Sequence, residues 1–212
     1  MASPLSVSSV ALLTLVAFIL ANSLLARAGD PDITSDFLVP DNINASTING
    51  TFFTNTGFRG IFGTIVPKLT ITKATKTEFP ALDGQSVSFA VVQYPAGSVN
   101  PPHVHPRSAE LLFVLKGSLD VGFVDTTNKL FTQTLQENDM FVFPKGLVHF
   151  QFNSDPNSAA TAIAAFGSVN AGTASLPTTL FSTNIDDDVL AESFKTDVPT
   201  ILKIKAGLAP PA

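Results

Sequence analysis

Residues 97–117 read GSVNPPHVHPRSAELLFVLKG, and the reading of this stretch decides the fold. The chain has three histidines in 212 residues, and two of them, His103 and His105, stand here with one residue between them. Side chains two positions apart in an extended segment leave the backbone on the same side, so both imidazoles aim at one point. Pro101 and Pro102 stiffen the approach and Pro106 ends the strand. Glu110 opens the apolar run LLFVL and can return a carboxylate to the same place. The third histidine, His149, lies in FPKGLVHFQFN. A turn at Pro144-Lys145-Gly146 leads into strict alternation. His149, Gln151 and Asn153 share one face, and Val148, Phe150 and Phe152 share the other.

A single buried histidine is ordinarily just a hydrogen-bonded one. Here all three fall on strand patterns, two at i, i+2, with a carboxylate five residues after His105. A polar face that begins with histidine fits a barrel interior that holds a metal, with the phenylalanine face packed on another layer or subunit. His103, His105, Glu110 and His149 are the predicted ligands of a first-row divalent ion. Donor chemistry alone leaves zinc, copper, iron, nickel and manganese open. Four protein ligands on an ion that prefers six leave room for a small anion or a dioxygen species.

Working outward, the pattern of short apolar runs between turns continues on both sides. VPKLTITKAT, VSFAVVQYPAG, ELLFVLKGSLDVGFVD, LFTQTL, MFVFPKG, LVHFQFN and ATAIAAFGS read as strands or hairpins, punctuated by Gly97, Gly117, Gly146 and Gly167. Many short strands without helices between them predict an all-β fold, a closed sandwich or barrel, with no internal repeat. The barrel is expected over residues 58–183. Residues 29–57 are polar and lack periodicity, which predicts an extended N-terminal arm. A helical extension is expected over 184–212: Asp186-Asp187-Asp188 precede VLAESFK, and Asp197 caps PTILKIK, with Pro199 in the first turn and Gly207 as the stop.

Composition closes off other classes. The net charge is −5 and no Lys/Arg cluster exceeds a scattered pair, so nucleic acid and anionic membrane surfaces are excluded as partners. There are no cysteines, which excludes disulfides, thiolate nucleophiles and cysteine-held metals. Only 14% of residues are charged, which points to surface covered by partner subunits.

The N-terminus carries an apolar run, Val10 to Ala21, too short to span a bilayer comfortably. Ala26 and Ala28 follow at the −3 and −1 positions of a signal-peptidase site. Residues 1–28 are therefore read as a secretory signal peptide, which leaves no membrane attachment once it is cut. Its removal takes Arg27 and leaves 11 basic against 17 acidic residues, a net −6. Secretion gives meaning to two sequons, at Asn44 and Asn49, as glycosylation sites.

With these residues in place, a resemblance is plain. Gly97-SVNPP-His103-V-His105-PRSA-Glu110-LLFVLK-Gly117 resembles the first cupin motif. Asn138-DMFVF-Pro144-K-Gly146-LV-His149-FQF-Asn153 resembles the second, with Asn138 in place of the usual glycine. The chain from GDPD onward is similar to the plant germin-like proteins. That resemblance implies a single cupin jelly-roll β-barrel with manganese on His103, His105, Glu110 and His149. It also implies a homohexamer, built as a trimer of dimers, secreted to the apoplast and cell wall. The family's N-terminal cysteine pair is missing here.

Two activities follow from the resemblance, superoxide dismutation and oxalate oxidation. Asn100 matches one asparagine of the oxalate-oxidising germins, but their other falls at Ala90, which cannot donate an amide hydrogen bond. The expectation is a superoxide dismutase-type protein without oxalate oxidase activity. Asn100 and Asn153 are the candidates for contacts just outside the ligands. The alternative is a non-enzymatic apoplastic binder, auxin-binding or receptor-like, or a structural wall protein. Storage globulins carry two cupin domains and generally lack the metal histidines, which argues against that role here.

Overall fold

The computed structural model describes residues 30–208. The expected signal peptide, residues 1–28, lies outside them. Ten strands build two five-stranded sheets whose neighbours pair antiparallel. They are β1 Thr70–Ala74, β2 Ser88–Tyr94, β3 Val99–Val104, β4 Glu110–Lys116, β5 Leu119–Val124, β6 Leu130–Leu135, β7 Met140–Phe143, β8 Val148–Phe152, β9 Ala160–Phe166 and β10 Ala174–Ser175. The first sheet runs β1-β2-β9-β4-β7 and the second β10-β3-β8-β5-β6. Consecutive strands switch sheets repeatedly, as a jelly roll requires.

Period-two alternation sets the layers. Leu112 and Val114 of β4, Tyr94 of β2 and Phe143 of β7 point inward and are buried. Leu119 and Val121 of β5 meet them from the other sheet, with Leu135 of β6. On β9 the inward residues are Ala160, Ala162 and Ala164, which cluster with the larger side chains of the two adjacent strands, β2 and β4.

Two turns show local chemistry at work. Asn138, between β6 and β7, has φ 75°, and asparagine tolerates this left-handed region better than most residues. The substitution for glycine therefore leaves the turn intact. Gly117, between β4 and β5, has φ 78°, and a Cβ there would stand 3.0 Å from the Ala159 carbonyl and from Ala160 Cβ.

Residues 30–68 contribute no strand, and a short 3-10 turn, Ala45–Thr47, is their one regular element. The arm lies largely exposed. Residues 58–69, expected inside the barrel, run as turns across the first sheet. The Gln93 amide on β2 holds them by donating to the carbonyls of Ile61 and Thr64. Asn44 and Asn49 are exposed, each accepting a backbone N–H from two residues on.

Helices begin sooner than expected. α1, Leu176–Phe181, follows β10 directly, then α2, Asp187–Phe194, and α3, Val198–Leu208. Asp186 caps α2 by accepting from the amides of Asp188 and Val189. Asp197 caps α3 through the Thr200 amide. Gly207 does not stop α3, which continues through it to Leu208. Leu190, Ala191 and Ile201 form a small separate core, with Phe181, Ile185 and Val198 around it.

Gly117→Ala is expected to lower stability by about 1–2 kcal/mol, the cost of a left-handed non-glycine residue, with the backbone contact added. Urea unfolding of the variant beside the parent checks this; an unchanged midpoint contradicts it.

Candidate metal centre

His103 sits on β3 opposite His149 on β8, a paired position in the second sheet. Asn100 is paired with Gln151 on the same two strands. Asn100 and His103 are three apart, so regular alternation would send them to opposite faces. A register shift between them restores both to the interior. The shift spans Pro101 and Pro102, residues with no N–H to offer the ladder, so the bulge falls where pairing costs least. His105 follows the end of β3, and Glu110 enters from the first residue of β4 in the opposite sheet.

The four side chains meet. One donor atom from each of His103, His105, Glu110 and His149 lies within 4.8 Å of all the others, and all four residues are buried. That span is slightly wider than twice a metal–ligand bond of about 2.0–2.2 Å. The His103 and His149 ring centroids are 4.1 Å apart, and those of His103 and His105 5.0 Å. Phe143 stacks on His149 at 4.5 Å, and Phe166 lies edge-on to His105 at 4.8 Å, which restricts how the two imidazoles turn.

The hydrogen bonds assign the tautomers. His103 Nδ1 bonds the Pro101 carbonyl at 2.8 Å, His149 Nδ1 bonds the Leu147 carbonyl at 2.8 Å, and His105 Nδ1 bonds the Gly172 carbonyl. A carbonyl only accepts, so each Nδ1 carries the proton, and each neutral ring turns an Nε2 lone pair inward. His105 Nε2 stands 2.8 Å and His149 Nε2 3.4 Å from Glu110 Oε2. Lone pair facing carboxylate in a buried interior is repulsive unless something positive stands between. A single proton satisfies one such pair, whereas a divalent ion satisfies all four donors at once. The donor set therefore fits a metal ion.

Electrostatics agree. Burial, then the neighbouring His149, pushes His103 down to about 4, so it remains a neutral donor near pH 7. Burial would raise Glu110, but positive charge shared with His105 and His149, whether a proton or a cation, outweighs it and brings the carboxyl down to about 2. Gln151 completes the carboxylate's shell. Its Nε2 donates to Glu110 Oε1 at 3.1 Å, and its Oε1 accepts from Asn100 Nδ2 at 2.6 Å and from the Tyr94 hydroxyl at 3.4 Å.

Of the two asparagines singled out in the sequence, Asn100 is at this network and Asn153 is not. Asn153 donates to the carbonyls of Tyr94, Pro95 and Ser158, which closes the far end of the barrel. Four residues of strand, at about 3.3 Å each, carry it away from His149. Gln151, on the same face and nearer, takes the contact instead. A cavity of about 300 Å³ opens beside the centre, with apolar walls at Ile71, Ala90, Val92, Ala164 and Phe166, polar residues at Lys73, Thr75, Thr77 and Ser88, and Asn100, His103, His105 and Glu110 also lining it.

The cupin family profile matches residues 67–201, the span that holds all four donors. Germin-like protein 9-3 of Oryza sativa subsp. japonica is 59% identical over 210 residues, which cover 96% of this chain and 98% of the relative. This chain belongs to the germin-like proteins of the cupin family. Among solved structures, an oxalate oxidase superposes with a TM-score of 0.78 at 31% identity, covering 85% of this chain and 98% of that one. An oxalate oxidase in complex with the substrate analogue glycolate gives 0.79 at 30% identity over the same shares. The germin-like fold and its buried His-His-Glu-His group thus stand on sequence and structure together.

Glu110→Gln removes the one anionic donor of this germin-like site. It is expected to cut retention of a divalent ion at least about 10-fold, read by elemental analysis after dialysis. Equal stoichiometry in both proteins contradicts the assignment. The metal-free protein carries a second expectation. His103 titrates near 4 when folded and near 6.5 when unfolded. Its contribution is complete above about pH 6.5 and is lost as pH falls toward 4. Urea midpoints at pH 7 and pH 4.5 should differ in that direction.

Proposed function

We propose that this germin-like protein is a secreted manganese protein of the plant cell wall and apoplast that dismutates superoxide and does not oxidise oxalate. The observation that carries the reading is the convergence of three inward Nε2 lone pairs and one carboxylate beside an open cavity. His103, His105, Glu110 and His149 would hold the ion. Bound there, manganese would supply the one-electron redox chemistry that superoxide dismutation needs.

The rest is the work of the chain's own residues. Glu110 offsets the ion's charge, and Gln151 holds its second oxygen at 3.1 Å. Phe143 covers one face of the His149 ring and Phe166 meets the His105 ring edge-on. A small anion such as superoxide needs only a path through the cavity. Oxalate asks for more, because its two carboxylates need donors to replace lost water. At the two positions where amides would donate, Ala90 offers a methyl group and Asn100 is already committed to Gln151 at 2.6 Å, which leaves Lys73, Thr75, Thr77 and Ser88 on the cavity wall without an amide at either position to share the second carboxylate. The same apolar wall gives some support to a second reading, an auxin-binding or other carboxylate-binding protein that keeps the metal to hold its ligand.

Assembly into a homohexamer, a trimer of dimers, is part of the proposal. Such an assembly needs two kinds of contact, and two apolar patches stand exposed. Leu111, Met140, Val142 and Phe89 lie on the outer face of the first sheet, and Val189, Phe194, Leu202 and Ile204 on the helices. The β8 phenylalanines, expected to pack on another layer or subunit, are half-buried within the protomer. Light scattering should give a hexamer mass; a monomer in dilute buffer contradicts the assembly. Asn44 and Asn49, exposed on the arm, are proposed to carry the glycans.

The deciding experiment pairs elemental analysis of the secreted protein with superoxide and oxalate assays, before and after His103→Ala. Manganese, superoxide turnover abolished by the substitution, and no oxalate turnover are the expected results. Superoxide turnover equal in both proteins leaves the ligand-binding reading. Robust oxalate turnover by the manganese-loaded parent overturns the substrate assignment.

A further inference from the structure

The three imidazoles are not oriented alike. His103 and His149 each bond the carbonyl two residues earlier in their own segments, a contact fixed as soon as β3 and β8 form. His105 bonds the Gly172 carbonyl, 67 residues away in the loop between β9 and β10. Its tautomer and ring angle therefore depend on where residues 168–173 sit.

That loop is held from several sides; the Ser88 hydroxyl and the Lys76 amide donate to the carbonyls of Ser168 and Val169, and two further grips come from Arg107 and from the arm. Arg107, two residues beyond His105, donates Nε–H to the Asn170 carbonyl at 2.6 Å and Nη2–H to Asn170 Oδ1 at 3.1 Å. Its backbone N–H donates to the Ala171 carbonyl. Gly172 has φ 70°, and the guanidinium fills the space a Cβ would take, so the turn closes tightly on this arginine. The other grip is that of the N-terminal arm. Asp30 accepts the Ser168 hydroxyl on Oδ1 at 2.8 Å and the Val169 amide on Oδ2 at 2.6 Å. Ser168 Oγ in turn accepts the Asn170 amide at 3.2 Å. Both carboxylate oxygens of one residue thus grip a loop 138 positions further on.

We propose that Asp30 is a positioning residue for the metal centre. Through Ser168, Val169 and Asn170 it fixes the Gly172 carbonyl that orients His105. It acts through the loop and touches no metal donor itself. A partner that orients a ligating histidine is typically worth 10–100-fold in metal affinity. The inference deepens the metal-binding reading above and rests on it. It also gives the arm a task in the site: the first described residue of the chain, two positions past the predicted cleavage after Ala28, completes the shell of a ligand in the barrel.

The test uses the secreted, metal-stripped full chain with Mn²⁺ and Co²⁺ as probes. Asp30→Ala is expected to release Mn²⁺ at least about 10-fold faster than the parent and to shift the visible d–d bands of the Co²⁺ form. Arg107→Met, which releases the arginine's grip on the loop, should shift the same bands. Asp30→Asn, which keeps one acceptor oxygen, should fall between parent and alanine. Ile33→Ala serves as the control, because it loosens the arm's packing beside Gly84 without touching the loop contacts. It should leave both readouts unchanged whatever it does to the melting temperature. If Asp30→Ala fails to fold, Arg107→Met alone decides. Parent-like Mn²⁺ release and Co²⁺ spectra in the folded loop variants overturn this inference and leave the metal site standing. A parent that binds neither ion overturns both.

Discussion

Four electron-rich atoms face one another in the buried interior, and the rest of the barrel is arranged so that they must. Each imidazole has spent its only proton on a carbonyl outside the cluster, so nothing inside can relieve the repulsion. The fold supplies the opposing force. A phenylalanine stacked on His149, a paired register across β3 and β8, and a carboxylate brought in from the facing sheet hold the donors within 4.8 Å. A site built this way is strained toward a cation, and binding one relaxes it.

The interior divides its labour along the barrel axis. One end is a packed core of Tyr94, Leu112, Val114, Leu119, Val121 and Leu135, with the histidine cluster and its cavity nearby. Alanines run down β9 through both regions. Beside the core they accommodate large neighbours, and Ala164 also lines the cavity. Tyr94 joins the two regions, with its ring among the leucines and its hydroxyl 3.4 Å from Gln151.

Much of this was legible in the sequence, because strand parity is a strong constraint. His103, His105, His149 and Glu110 could be brought together on paper from spacing and turns alone, and Asn138 could be read as a tolerable turn residue. What escaped depends on pairing between distant segments. The bulge at Pro101-Pro102 and the Asn100–Gln151 pair are facts of register, which no local pattern records. Asn153 shares a face with His149, but parity fixes side and not distance along the strand. α1 was hidden because LPTTLF is short and holds two threonines, so tertiary contact with β3 and α3 decides it. The loop at 168–173 carries no charged residue, and its main contact with the site is made by a backbone carbonyl.

The sulfur content of the chain has its own consequence. There is no cysteine, and of two methionines the second, Met140, stands outward on β7 and is 64% exposed. Thiols and glutathione have no bond to open in this protein, so its architecture is indifferent to the redox poise of its surroundings. In the separated protomer an oxidant finds one thioether past the initiator, and conversion to sulfoxide there would put a polar knob on the sheet face proposed as a subunit contact while leaving the barrel interior untouched.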